Sequence, residues 1–119
     1  MQDENLLKLV IDALEDVKGV DLKVLDVRHS TSITDIMVIV SGTSSRHVRA
    51  LADNLVRESK KAGVHPIGIE GEREGEWILV DLGDVVVHVM QPSVREFYDL
   101  EKLWSVGGSD ARRAKDPTA

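Results

Sequence analysis

Two side chains with catalytic potential, Asp81 and His88, flank a Gly83-Asp84 pair. If the apolar runs 77–82 and 85–90 form a hairpin around that pair, the two are diagonal neighbours on one face, roughly 7–8 Å apart between Cα atoms. An aspartate that orients a histidine can activate a nucleophile. No serine or threonine in the sequence obviously completes a triad with them, so acid–base or nucleophilic catalysis has no anchor. The four histidines, His29, His47, His65 and His88, show neither H-x-x-x-H nor H-E-x-x-H spacing, and there is no cysteine. A zinc site is therefore unsupported. Glu70, Glu72, Glu74 and Glu76 alternate around Gly71 and Gly75. They read as a solvated acidic loop rather than a cation site.

The elements that would position these groups follow from periodicity. Leu6, Leu7, Val10, Leu14 and Val17 recur at helical spacing and predict a helix over 4–18, with Gly19 as its stop. Val24, Leu25 and Val27 predict a short strand. The unbroken apolar run 36–40 predicts a central strand covered on both faces. Gly42-Thr43-Ser44 then turns into a second helix carrying Val48, Leu51, Ala52, Leu55 and Val56 on one face. Its opposite face bears Arg46, Arg49, Asp53, Arg57 and Lys60. The helix leads to Pro66-Ile67-Gly68-Ile69, a crossover with parallel strands. Gly42-Thr43-Ser44 has the form of the glycine–serine turn of nucleotidyltransferases, whose paired acids on a nearby strand hold catalytic metal ions. Here Asp35 is followed by Ile36-Met37 and the later strand has no acid, so the metal site is missing. No enzyme activity, metal or cofactor is expected.

The hairpin is the clearest local signal, because Gly-Asp between two apolar runs makes a two-residue loop. Its register divides the residues into two faces. One holds Ile78, Val80, Leu82, Val85, Val87 and Val89, all aliphatic, and belongs in the core. The other holds Trp77, Leu79, Asp81, Val86, His88 and Met90. That mixture suits a binding face; it equally suits a face covered by a helix that satisfies His88. A last helical segment is predicted over 94–104, with Ser93 able to cap it. The chain has four aromatic residues, and three of them, Phe97, Tyr98 and Trp104, fall in this segment. Phe97, Leu100 and Trp104 have the spacing to anchor the helix, which would turn Arg95 and Tyr98 toward the mixed face. Tyrosine, tryptophan and arginine are the residue types that dominate interface hot spots.

Composition bounds the rest. The 119 residues, 42% hydrophobic and 30% charged, suit one soluble α/β domain, a mixed sheet of roughly five strands with helices packed on it. Residues 105–119 hold almost nothing apolar and read as a disordered tail, leaving 1–104 as the domain. No apolar run approaches the ~20 residues of a membrane span. The acidic start is not that of a signal peptide, so a cytoplasmic, non-membrane protein is expected. The net charge of −6 disfavours nucleic acid as the main partner. It is unevenly spread: +3 over 44–61 and −6 over 69–104. The acidic half suits a basic protein partner.

Ser32-Ile33-Thr34-Asp35, the stretch 42–48, Glu70-Gly71, the stretch 77–90 and Tyr98-Asp99-Leu100-Glu101-Lys102-Leu103-Trp104 together resemble the ribosomal silencing factor, or Iojap, family over about residues 3–104. The resemblance implies a mixed α/β domain related in fold to nucleotidyltransferases without their activity. It implies binding to the large ribosomal subunit through that subunit's ribosomal protein number fourteen, where the factor blocks docking of the small subunit and represses translation in starvation or stationary phase. It also implies homodimers when free. On this reading Trp77, Leu79, His88, Met90, Tyr98 and Leu100 make the apolar contact, and Asp81, Glu101 and Asp99 meet basic groups across it. Arg95 either orients these carboxylates or touches the partner. The basic stripe on the second helix is where ribosomal RNA would be met, or is simply solvated.

Overall fold

The computed structural model describes residues 3–29, 34–100 and 102. Leu6, Val10, Ala13 and Leu14, three or four positions apart, form the buried face of helix α1 (Asp3–Asp16). The helix stops two residues short of its periodicity, because Lys18 turns left-handed at φ +64° and the Gly19 N–H returns to the Leu14 carbonyl at 2.9 Å. Gly19 supplies room: a Cβ there would sit 2.7 Å from Val40 Cγ2.

Strand β1 (Val20–Asp26) pairs antiparallel with β2 (Ile36–Ser41), with a bulge between Val20 and Lys23. All six residues of β2 are buried, as its unbroken apolar run predicts. The Ser44 hydroxyl then accepts the His47 N–H at 3.1 Å and caps α2 (Ser45–Lys61). Val48, Leu51, Ala52 and Leu55 turn one side of α2 onto the same sheet face as α1. The two helices are tied by Asn54, whose amide donates to the Ala13 carbonyl at 2.8 Å and accepts from Arg57 at 2.9 Å.

Strands β3 (Gly68–Glu70), β4 (Trp77–Asp81) and β5 (Val85–Met90) complete a five-stranded mixed sheet of order β1-β2-β5-β4-β3. β2 and β5 run parallel, and every other pair is antiparallel. The crossover through α2 therefore joins central β2 to edge β3, which shares its direction across the intervening β5 and β4. The hairpin has the register that its loop dictates: Trp77 faces Met90, Leu79 faces His88 and Asp81 faces Val86, with Gly83 at φ +93° in the turn.

One sheet face packs Ile36, Val38, Val40, Ile78, Val80, Val85, Val87 and Val89 against α1 and α2. At about 1.5–3 kcal/mol per fully buried aliphatic side chain, this layer carries most of the stability. The other face holds a smaller cluster of Val27, Met37, Ile39 and Met90, with Leu25, Trp77, Val94 and Leu100 packed against it. Helix α3 (Pro92–Tyr98) contributes Val94 to this cluster.

The final helix departs from its sequence reading. Asp99 takes a left-handed φ of +48° and ends α3 after seven residues, interrupting the expected helix; Leu100 and Lys102 beyond it are again helical. Ser93 does not cap it; Gln91 is the cap residue, its side chain making no capping bond to the helix, and Pro92 at the first turn has no N–H to satisfy. Glu101, Trp104 and the 105–119 tail lie outside the described residues. Among the described residues, no helix is long and apolar enough to cross a membrane.

Candidate functional site

Strand alternation puts Trp77, Leu79 and Asp81 of β4 beside Met90, His88 and Val86 of β5 on the face away from α1 and α2. Trp77 is half-buried, and its indole N–H donates to Nδ1 of His88 at 2.9 Å. His88 is 6% exposed, and burial pushes its pKa down from 6.5 to about 4. It stands neutral beneath the tryptophan. The two rings lie 5.8 Å apart at 46°.

Helix α3 brings Phe97 and Tyr98 to the Trp77 side of this pair. Tyr98 packs on Trp77 with ring centres 4.8 Å apart, and Phe97 meets Tyr98 edge-on at 5.0 Å and 86°. Tyr98 is 54% exposed and Phe97 80%. A shallow cleft of about 400 Å³ opens between the helix and β4, lined by Glu76, Trp77, Ser93, Val94, Phe97 and Tyr98. Its mouth is braced from behind: the Gln91 N–H donates to the Glu76 carbonyl at 2.9 Å, and the Gln91 amide to the Gly75 carbonyl at 3.1 Å.

The nine sequence-predicted residues separate into groups. Trp77 and Tyr98 come together at the surface. His88 and Met90 do not: Met90 is 0% exposed and His88 nearly so, and both support Trp77 from below. Arg95 is also buried, at 7% exposure, and donates to the Ser41 hydroxyl at 2.9 Å. The expectation that it turns toward a partner is therefore corrected, since the guanidinium points inward onto the sheet. Leu79 is half-buried, and Leu100 packs against the Met37–Met90 cluster. Asp81 stands about 13 Å along β4 from Trp77, and its carboxylate accepts the Gly83 N–H at 2.8 Å. Glu101 lies outside the described residues.

Phe97 also overturns its expected role. Its spacing with Leu100 and Trp104 suggested a buried anchor, yet it is the most exposed large apolar side chain of the site. Glu76, Ser93 and Val94 also line the cleft, although the sequence pattern placed Glu76 in a solvated acidic loop and Ser93 at a helix cap and assigned Val94 no contact; the three-residue spacing of Val94 and Phe97 was the available signal.

Elsewhere the polar groups are used structurally. In the Gly42-Thr43-Ser44 turn, His47 Nδ1 accepts the Thr43 N–H at 2.8 Å, leaving Nε2 to donate to the Val17 carbonyl at 2.7 Å. Arg49 donates to the carbonyls of Glu72 and Arg73 at 3.1 and 2.6 Å, holding the acidic loop. Arg57 is bonded to Asn54 and Lys61 to Glu58, so the basic stripe of α2 is partly engaged, and it lies on the opposite side of the sheet from Trp77. Among the described residues, no three His, Asp or Glu side chains are grouped to hold a metal ion.

Residues 1–118 match the family described as ribosomal silencing factor during starvation. The chain belongs to the ribosomal silencing factor family. It is 50% identical over 104 residues to the ribosomal silencing factor of Chromobacterium violaceum, covering 87% of this chain and 85% of that one. It is 51% identical over 100 residues to the counterpart from Haemophilus influenzae, covering 84% and 98%. A crystal structure of a Chromobacterium violaceum protein superposes with a TM-score of 0.87 at 47% identity, over all of both chains. A crystal structure from Bacillus halodurans gives 0.79 at 35% identity, over 86% of this chain and 95% of that one. Iojap proteins of maize chloroplasts and Arabidopsis mitochondria are more distant relatives, at 29% and 32% identity.

Proposed function

We propose that this chain acts in the cytoplasm without catalysis, binding the large ribosomal subunit through ribosomal protein number fourteen and blocking its union with the small subunit. Translation falls as a result. The observation that carries the reading is the aromatic cluster of Trp77, Tyr98 and Phe97. Three of only four aromatic residues stand together at a cleft, and two of them are more than half exposed. A soluble domain leaves such a group in water when it is a contact surface. The acidic 69–104 segment around it fits a basic protein. A mouse relative, 37% identical over 112 residues and twice as long, is named for assembly of the mitochondrial large ribosomal subunit, which favours the large subunit as partner.

The test mixes the purified protein with separated subunits and follows joined particles on a sucrose gradient. Wild type is expected to migrate with the large subunit and to suppress joining. Trp77→Ala and Tyr98→Ala are each expected to weaken binding by about 2 kcal/mol, roughly 30-fold. Normal joining without co-migration overturns the reading and leaves the face to a different partner.

A further inference from the structure

We infer that the cleft between β4 and α3 takes an arginine side chain of the partner, its guanidinium stacked on the aromatic rings and bonded to Glu76. The inference rests on the docking reading above and adds the chemistry of the contact. Three observations lead to it. The walls are ring faces and edges, from Trp77, Tyr98 and Phe97, rather than aliphatic side chains alone. Glu76 lines the cleft with an exposed side chain, and its backbone is pinned there by Gln91, within reach of a cation seated on the rings. The surroundings are negative: in 70–76 and 91–100 the exposed Asp, Glu, Lys and Arg side chains are six carboxylates and Arg73. The other base, Arg95, is buried and donates to Ser41.

A π face and a carboxylate attract a cation together, each satisfying a different part of it. Arginine fits better than lysine. Its guanidinium is planar, is weakly hydrated, stacks on rings and can still present a fork of donors to a carboxylate. An aliphatic occupant would leave Glu76 unpaired at the edge of an apolar contact, which costs affinity.

The experiment separates ring chemistry from apolar area. Binding to the purified large subunit is measured for Trp77→Ala, Tyr98→Phe, Tyr98→Leu and Glu76→Gln, all at solvent-accessible positions. Tyr98→Phe keeps the π face and is expected within about twofold of wild type; Tyr98→Leu keeps apolar area without it and is expected to lose about tenfold. Glu76→Gln is expected to lose about five- to tenfold. In parallel, the blocked tripeptide Gly-Arg-Gly is titrated against labelled protein while the Trp77 indole N–H resonance is followed, with the citrulline peptide as the uncharged isostere. A saturable shift with arginine and none with citrulline is the expected result. If Trp77→Ala loses binding while Tyr98→Leu and Glu76→Gln match wild type, the docking reading stands and the arginine is overturned. Equal shifts from the two peptides overturn it as well. If Trp77→Ala itself binds normally, both fall.

Discussion

His88 links the acid stability of the fold to the surface above it. Its Nδ1 accepts the Trp77 indole N–H and its ring is 6% exposed, so only the neutral imidazole fits the site. Burial lowers its pKa from 6.5 to about 4. An unfolded chain takes up a proton near pH 6.5, whereas the folded chain resists until about pH 4. Between those values the unfolded state binds more protons, so stability falls as pH falls. The contribution is whole above pH 6.5, erodes at about 1.4 kcal/mol per unit through the window, and has lost about 3 kcal/mol by pH 4. His88→Leu removes this titration but strips the indole of its acceptor. That costs about 1 kcal/mol at neutral pH, the low end of the range, because half-buried Trp77 has access to water. The two stability curves are therefore expected to cross near about pH 6, with wild type the more stable above and His88→Leu below. Urea unfolding followed by circular dichroism from neutral pH down to about pH 4 measures both. A constant gap between the curves would refute the reasoning, since His88 would then bind its proton equally well in both states.

Three further substitutions test the supports of the site and of the core behind it. Gly71→Ala places a Cβ against the Trp77 carbonyl oxygen at a φ of +88°, and is expected to destabilise by ~2 kcal/mol or more while shifting the Trp77 indole resonance. Asn54→Leu removes the amide that joins α2 to the Ala13 carbonyl, and is expected to cost about 1–3 kcal/mol in urea unfolding. Ser44→Ala loses the cap of α2, worth about 1 kcal/mol in the same assay. Because Asn54 and Ser44 lie away from the Trp77 face, co-sedimentation of both folded variants with the large subunit is expected to be unchanged.

The hairpin was legible because a local signal and a long-range one agree there. Gly83-Asp84 sets the turn, and the apolar runs on either side set the faces, so the pairing of Trp77 with Met90 follows by counting. The division of the mixed face into buried and exposed members was not legible. It depends on where α3 stops, and Asp99 adopts the left-handed conformation that aspartate tolerates without announcing. The Phe97, Leu100, Trp104 spacing assumed a helix running unbroken through Asp99. Arg95 was misread for a related reason. An arginine on a short helix is ordinarily solvated, and its partner Ser41 lies 54 positions earlier in the chain. The burial of His88 was one of two readings open from pattern alone, and the indole of Trp77, eleven positions away, is what satisfies it.

Strand β5 has a double allegiance. Val85, Val87 and Val89 belong to the large core, while the alternate residues His88 and Met90 form the floor under Trp77. β5 also lies at the middle of the sheet, bonded to β2 on one side and β4 on the other, whereas β1 and β3 are the edges. The floor of the proposed docking face thus has no local opening of its own: exposing the His88 and Met90 amides to exchange requires the centre of the sheet to come apart. Their hydrogen-exchange protection should equal that of the whole fold, while the amides of β1 and β3 exchange sooner. On the proposed docking reading, a partner meets a surface whose floor is already ordered, so association carries little entropic cost there, and differences in affinity among variants should register in the rate of departure rather than of arrival.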